Sequence, residues 1–186
     1  MKIPGYIKYS DIEPYPSCDF VHGPTRLNWR DIEGTLKRWL QEDKLNLNPD
    51  YQRDIVWTTT QQSAFIEHIL KGGTTGSPIV FNYPGYTDGW LGGMEVVDGK
   101  QRITALLNFF DNKVTAFGFY YENFIKKTSF HRSGNRGVGV DYGIVDIRSK
   151  RDVLKLYLSL NTTGKPHTEA EIQKVCELID SISESP

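Results

Sequence analysis

Asp98-Gly99-Lys100-Gln101-Arg102 sets a carboxylate, a carboxamide and two cations within five consecutive residues. Before it, Met94 to Val97 is a short apolar run; after it, Ile103, Leu106, Leu107 and Phe110 recur at helical spacing. The order predicts a strand, a glycine turn and a helix start. The first backbone N–H groups of a helix lack internal partners and carry the positive end of the helix dipole, so anions bind there. Lys100 and Arg102 fall in that same first turn, where a cation costs about 0.3–1 kcal/mol. Something negative is expected to offset them, and a phosphate is the simplest group that would. The competing reading is that Asp98 and Gly99 only form a turn and Arg102 pairs with a carboxylate.

Two other polar stretches stand beside apolar ones. Tyr51-Gln52-Arg53 precedes Trp57, and Asn161-Thr162-Thr163-Gly164-Lys165-Pro166 separates two helical patterns. A third, Lys126 to Gly137, carries Lys126, Lys127, His131, Arg132 and Arg136, and is a local contact for nucleic acid or a solvated face.

The elements that must hold these groups follow from periodicity. Residues 1–27 are rich in Pro and Gly and read as an extended arm; residues 28–182 form one domain, and 183–186 a frayed tail. Asn28 is expected to cap a helix to about Lys44, with Ile32, Leu36, Trp39 and Leu40 on one face. Leu45 to Arg53 reads as a short strand and turn. Thr58 to Thr60 caps a helix carrying Phe65, Ile66, Ile69 and Leu70, on which His68 is a satisfied surface group. Ile79 to Tyr83 is a strand that pairs with Met94 to Asp98 as a hairpin; Val114 to Tyr121 is another strand, and Asp141 to Ile147 a weaker one. Two helices close the chain, at Arg151 to Leu160 and after a Thr168-x-x-Glu171 capping box.

With 186 residues and 38% hydrophobic content the chain supports one cored domain. A net charge of −1 argues against coating nucleic acid by bulk electrostatics and confines any DNA contact to a patch. Cys18 and Cys176 are far apart and read as small buried hydrophobes, without a disulfide or zinc pattern. No signal peptide or membrane span is evident, so a cytoplasmic protein is expected. P-loop, dinucleotide, HExxH and GxSxG motifs are absent.

Three segments in order, Tyr51-Gln52-Arg53 with Trp57, Val97 to Leu106, and Leu160 to Thr168 with Glu171, resemble the N-terminal domain of GmrSD-type restriction proteins, of the ParB/sulfiredoxin-like superfamily. The resemblance spans roughly residues 28–182. It implies a compact α+β fold, a small mixed sheet flanked by helices, in which the Asp-Gly-x-Gln-Arg turn is a nucleotide-phosphate site. By motif, Asp98 would orient a metal-bound or attacking water, with Mg²⁺ as the metal. Gln101 and Arg102 would hold phosphate oxygens, Arg53 would be a second phosphate contact, and Asn161 and Gly164 would line the opposite wall. Tyr51, Gln52, Gly99 and Lys100 belong to the same nucleotide-binding set. Lys100 departs from the commonest form of the motif, which has Gln there. Sulfiredoxin has its catalytic cysteine at the equivalent position, so that chemistry is not expected. Larger relatives carry a C-terminal nuclease domain of His-Asn-His character, whereas His22, His68, His131 and His167 are scattered. A complete restriction enzyme is therefore not expected.

The reading that results is a stand-alone nucleotide-binding domain that hydrolyses an NTP or acts on a phosphoryl bond, linked to DNA transactions or phage–host conflict. A separate effector subunit and DNA are the expected partners, a homodimer is left open, and no membrane is involved. The alternative is a non-catalytic DNA-binding or regulatory module, with Lys127, Arg132 and Arg136 as its nucleic-acid contacts. A kinase acting on a small molecule or DNA base ranks third.

Overall fold

In the computed structural model, which describes residues 18–89, 93–130, 137–161 and 168–183, strand β2 (Ile79–Asn82) is buried along its whole length. Antiparallel β3 (Glu95–Asp98) lies on one side and parallel β4 (Gly139–Val145) on the other. Strand β1 (His22–Asn28) pairs antiparallel with β4, giving a four-stranded mixed sheet in the order β1-β4-β2-β3. Successive strand side chains point to opposite faces. Ile79, Phe81, Val96, Val140 and Ile144 thus enter one core, and Val80, Val97 and Val145 enter a second.

Helices α1 (Trp29–Gln41), α2 (Thr59–Leu70), α3 (Lys100–Phe110) and α4 (Tyr121–Lys127) supply the first core. Helices α5 (Lys150–Asn161) and α6 (Glu169–Ser183) close the second. The chain is α+β, as expected. The predicted hairpin is β2–β3. A side-chain network joins α2 to α3 beneath Trp57: buried Gln62 donates to the Trp57 carbonyl at 3.0 Å and accepts from Asn108 at 2.7 Å. Thr58 and Gln61 form a capping box at α2, and Thr168 and Glu171 exchange the same pair of bonds at α6. His68 bonds the Thr74 carbonyl at 2.9 Å. Cys18 and Cys176 are free and half-buried.

Four expectations need correction. The end of the predicted arm, His22–Asn28, is a strand of the sheet; Gly23 and Pro24 hid its pattern, and proline is tolerated because β1 lies at the sheet edge. Residues 45–53 do not form a strand. Asn46 alone bridges Glu95, after which Asn46 Oδ1 accepts the Asn48 N–H and the chain turns at Pro49. The aromatic stretch 114–121 is a tight turn, Ala116 pairing with Phe119, followed by α4. Phe119 and Tyr121 pack against the first core, whereas Phe117 and Tyr120 stay exposed. Finally, α1 stops at Gln41, short of Lys44, which takes φ +51°; the strand expected at 141–147 is present as β4, an inner strand. Asn28 occupies the cap position of α1 without a side-chain bond; the Trp29 N–H is satisfied by the Val138 carbonyl at 2.9 Å. The 183–186 tail falls largely outside the described residues, although α6 runs to Ser183.

The β1–β4 pairing is close at Gly139, where an added Cβ would stand 2.2 Å from the Leu27 carbonyl oxygen. Gly139→Ala should therefore destabilise the fold by roughly 1–3 kcal/mol. In a thermal melt this reads as a fall of roughly 3–10 °C; an unchanged melting temperature would contradict the pairing.

Candidate functional site

Gly99 is the point from which the site is built. It takes φ +100° between β3 and α3, and a Cβ there would lie 3.0 Å from Ile79 Cγ1 and Cγ2. Both the conformation and the close approach require glycine. The turn delivers Asp98 at the end of β3 and Lys100, Gln101 and Arg102 in the first turn of α3. They open onto a cleft of about 920 Å³. Gln52 and Arg53 line it from the crossing between α1 and α2, and Asn161 from the end of α5.

Of the residues singled out in the sequence, Gln52, Arg53, Asp98, Gly99, Lys100, Gln101, Arg102 and Asn161 thus converge on one cleft. Tyr51 lies beneath it, 2% exposed, its hydroxyl donating to the Val96 carbonyl at 3.4 Å. Burial, with Glu95 adding, raises its phenol far above the ordinary range. Lys127 lies apart from the cleft, at the end of α4. Gly164, Arg132 and Arg136 lie outside the described residues.

Several of these polar groups are tied to backbone. Gln52 Nε2 donates to the carbonyls of Val96 and Val97 at 3.1 and 2.9 Å. Gln101 Oε1 accepts the N–H groups of Val56 and Trp57, and its Nε2 donates to the Asp54 carbonyl at 3.0 Å. Lys100 is 5% exposed, and its Nζ donates to the Arg53 carbonyl at 2.6 Å. Together they fasten the irregular 52–57 segment to the β3–α3 turn and hold the Arg53 side chain at the cleft wall. Asn161 Nδ2 folds back to the Tyr157 carbonyl at 2.7 Å.

The cations are unevenly balanced. Arg102 Nη2 contacts Asp98 Oδ2 at 2.6 Å and the Pro78 carbonyl at 3.3 Å, while Nη1 donates to the Ser77 carbonyl at 2.6 Å. Burial lowers the Arg102 pKa, and Asp98 opposes that shift. Burial also lowers the Lys100 pKa, opposed by Asp54 and reinforced by Lys174. Arg53 Nη1 stands 3.9 Å from Glu171 Oε2 at the start of α6. Among the described lining residues, Arg53, Lys100 and Arg102 face a single carboxylate, Asp98.

Sequence reasoning missed Phe20, Tyr157 and the Thr75–Pro78 loop as parts of the wall. Burial pushes the Tyr157 phenol up to about 12, with Arg53 opposing and Glu171 and Asp98 adding to the shift, so it stays protonated at neutral pH. Its place in an apolar helical stripe gave no functional signal. The loop carried one, since a Gly-, Thr- and Ser-rich stretch ends at Pro78 beside a strand. Cys18 also lines the cleft, and burial, with Asp19 adding, raises its thiol away from the reactive thiolate.

Among the described residues no group of three or more His, Cys, Asp or Glu side chains is placed to hold a metal ion. A nucleotide-bound Mg²⁺ needs less, one or two carboxylates with phosphates and water completing its shell. Asp98 fits that smaller role, in competition with Arg102.

The family described as GmrSD restriction endonuclease, N-terminal domain, matches residues 36–178. No curated protein and no solved structure gives a match. No helix among the described residues is long and apolar enough to cross a membrane.

The buried Lys100 ammonium makes a testable electrostatic contribution. Its folded pKa lies below the unfolded value of 10.5, so the unfolded chain binds its proton more tightly and stability rises as pH climbs through that interval. Wild type should gain stability relative to Lys100→Met as pH rises toward 10.5 and level off above it. Taking the difference cancels tyrosine titration common to both proteins. Urea melts at stepped pH give the curve, and a flat difference would show that the ammonium is not desolvated.

Proposed function

The chain belongs to the GmrSD restriction endonuclease N-terminal domain family, and from that premise we propose that its cleft binds a nucleoside triphosphate and hydrolyses a phosphoryl bond, in support of a restriction or phage-defence system acting on DNA. The observation that carries this reading is the excess of cations at the start of α3. Arg53, Lys100 and Arg102 converge with the free N–H end of a helix on a cleft that holds one carboxylate. With Arg102 paired to Asp98 and Arg53 only loosely to Glu171 at 3.9 Å, the cleft favours an added anion, and a triphosphate supplies such a charge.

Phosphoryl transfer asks chiefly for positioning and charge neutralisation. The first backbone N–H groups of α3, at the Gly99 turn, border the cleft and would donate to a phosphate there. Arg53 offers a guanidinium whose tie to Glu171, at 3.9 Å, is long enough to yield to a phosphate. Arg102, 11% exposed at its side chain and fixed by Asp98, is a preorganised charge beside the reacting group. Asp98 would orient the attacking water, and Mg²⁺ bound with the nucleotide would neutralise phosphate charge. Trp57, Phe20 and Tyr157 supply aromatic surface for the base. DNA and a separate effector subunit are the partners this role needs.

One observation favours a second reading, a non-catalytic nucleotide-gated module that regulates DNA binding. The Asp98 carboxylate is already engaged by Arg102 at 2.6 Å, so one of its oxygens is taken up by the ion pair and not free for a water or a metal ion.

A thermal-shift panel of ATP, GTP, CTP and UTP, with and without Mg²⁺, tests the proposal. At a concentration near 100 Kd the bound nucleotide should raise the melting temperature by roughly 5–10 °C. Arg53→Ala should weaken binding roughly tenfold or more. Asp98→Asn should keep binding and abolish phosphate release. If no nucleotide shifts wild type, the cleft is not a nucleotide site; if wild type binds without releasing phosphate, the regulatory reading replaces the hydrolase.

A further inference from the structure

The turn Ala116–Phe119 stands at the opposite ends of α2 and α3 from the cleft. Gln61 and Ala64 of α2 and Lys100 of α3 line the cleft, whereas Glu67 and Lys71, at the other end of α2, contact the turn. The 11 residues of α3 put about 16 Å between the two places.

Ala116 and Phe119 exchange both backbone hydrogen bonds at 2.9 Å, and the residues between them, Phe117 and Gly118, take φ +51° and +78°. Two left-handed residues in a two-residue loop are the arrangement of a type I′ turn, which favours Asn-Gly or Gly-Gly. A phenylalanine at the first position is an outlier, and such strain points toward function when the surroundings fix it. Here Glu67 Oε1 accepts the Phe117 N–H at 2.8 Å. The strained backbone leaves the Phe117 ring 42% exposed, near Tyr120 at 46%. Buried Phe124 supports the Phe117 ring in a stacked contact at 6.4 Å.

Ammonium groups bracket the rings. Lys71 Nζ lies 5.3 Å from the Phe117 centroid, and Lys127 Nζ lies 5.7 Å from that of Phe119. Lys126 is exposed beside Lys127. Of the nearby acids, Glu67 bonds the turn's backbone, Asp111 pairs with Lys113 at 3.0 Å, and Glu122 is exposed. Lysine is depleted in protein–protein interfaces. Aromatic faces set among cations are instead the combination that holds single-stranded nucleic acid, bases stacking on rings and phosphates meeting the ammonium groups. We propose that the 116–120 turn is a binding platform for unpaired nucleic acid, with Phe117 and Tyr120 as stacking surfaces and Lys71, Lys126 and Lys127 as phosphate contacts.

Fluorescence anisotropy of the full chain with a labelled oligo(dT), longer than the roughly 4–16 nucleotides of common single-strand sites, tests this against the matching duplex. The single strand should bind more tightly. Phe117→Asn, which suits the left-handed backbone and preserves the melting temperature, should weaken it roughly five- to hundredfold. Lys71→Ala with Lys127→Ala should reduce the log–log salt slope by roughly 1.4. The nucleotide-induced thermal shift should persist in Phe117→Asn, so failure here is separable from failure of the cleft reading. Absence of single-strand binding in wild type, preference for duplex, or an unchanged affinity in Phe117→Asn would each overturn the proposal. So would loss of self-association in Phe117→Asn with oligonucleotide binding intact, which would identify the turn as a protein interface.

Discussion

The tie between the irregular 51–57 segment and the β3–α3 turn is the constraint on which the site depends. That segment has no strand or helix of its own, yet Arg53 reaches the cleft from it. Gln52 binds it to β3, Lys100 holds the Arg53 carbonyl, and Gln101 closes on the backbone of Asp54, Val56 and Trp57. Two residues of the 98–102 motif, Lys100 and Gln101, therefore shape the neighbouring segment before they touch any ligand, and Gln52 binds that segment back to β3. These bonds are partly buried at Gln52 and Lys100 and largely exposed at Gln101, so each contributes roughly 0.5–1.5 kcal/mol. The cleft geometry is correspondingly rigid.

Rigidity sharpens the electrostatics. Arg102 is locked between Asp98 and the carbonyls of Ser77 and Pro78, so its charge keeps a fixed place beside the helix start. Lys100 is desolvated in the first turn of α3, where the dipole also opposes it. The strand, the glycine and the helix together hold positive charge in an orientation that a solvated loop would relax. An anion of several charges is the complement of that arrangement.

The sequence made the location of the cleft readable, because its parts are local signals: a β run ending in Asp-Gly, a helical period beginning at once, and polar triplets at element ends. The hairpin of β2 with β3 was legible for the same reason. What side chains do inside the motif was not. Gln101 and Lys100 bond residues more than 40 positions away, and contacts at that range leave no periodic trace. Strand β1 was concealed by Gly23 and Pro24, and the aromatic run 114–121 imitated a strand because ring content marks any half-buried surface. Burial of Tyr157 in an apolar stripe likewise masked its place on the cleft wall.

The central claim is that the phosphates of a nucleotide sit at the first turn of α3. Backbone amide shifts followed by ¹H–¹⁵N NMR during titration report that contact directly. The account predicts that the largest shifts fall on Gly99, Lys100, Gln101 and Arg102 with a nucleoside triphosphate, and that the corresponding nucleoside leaves those amides unmoved. Equal perturbation by the nucleoside, or shifts confined to other parts of the chain, would contradict it.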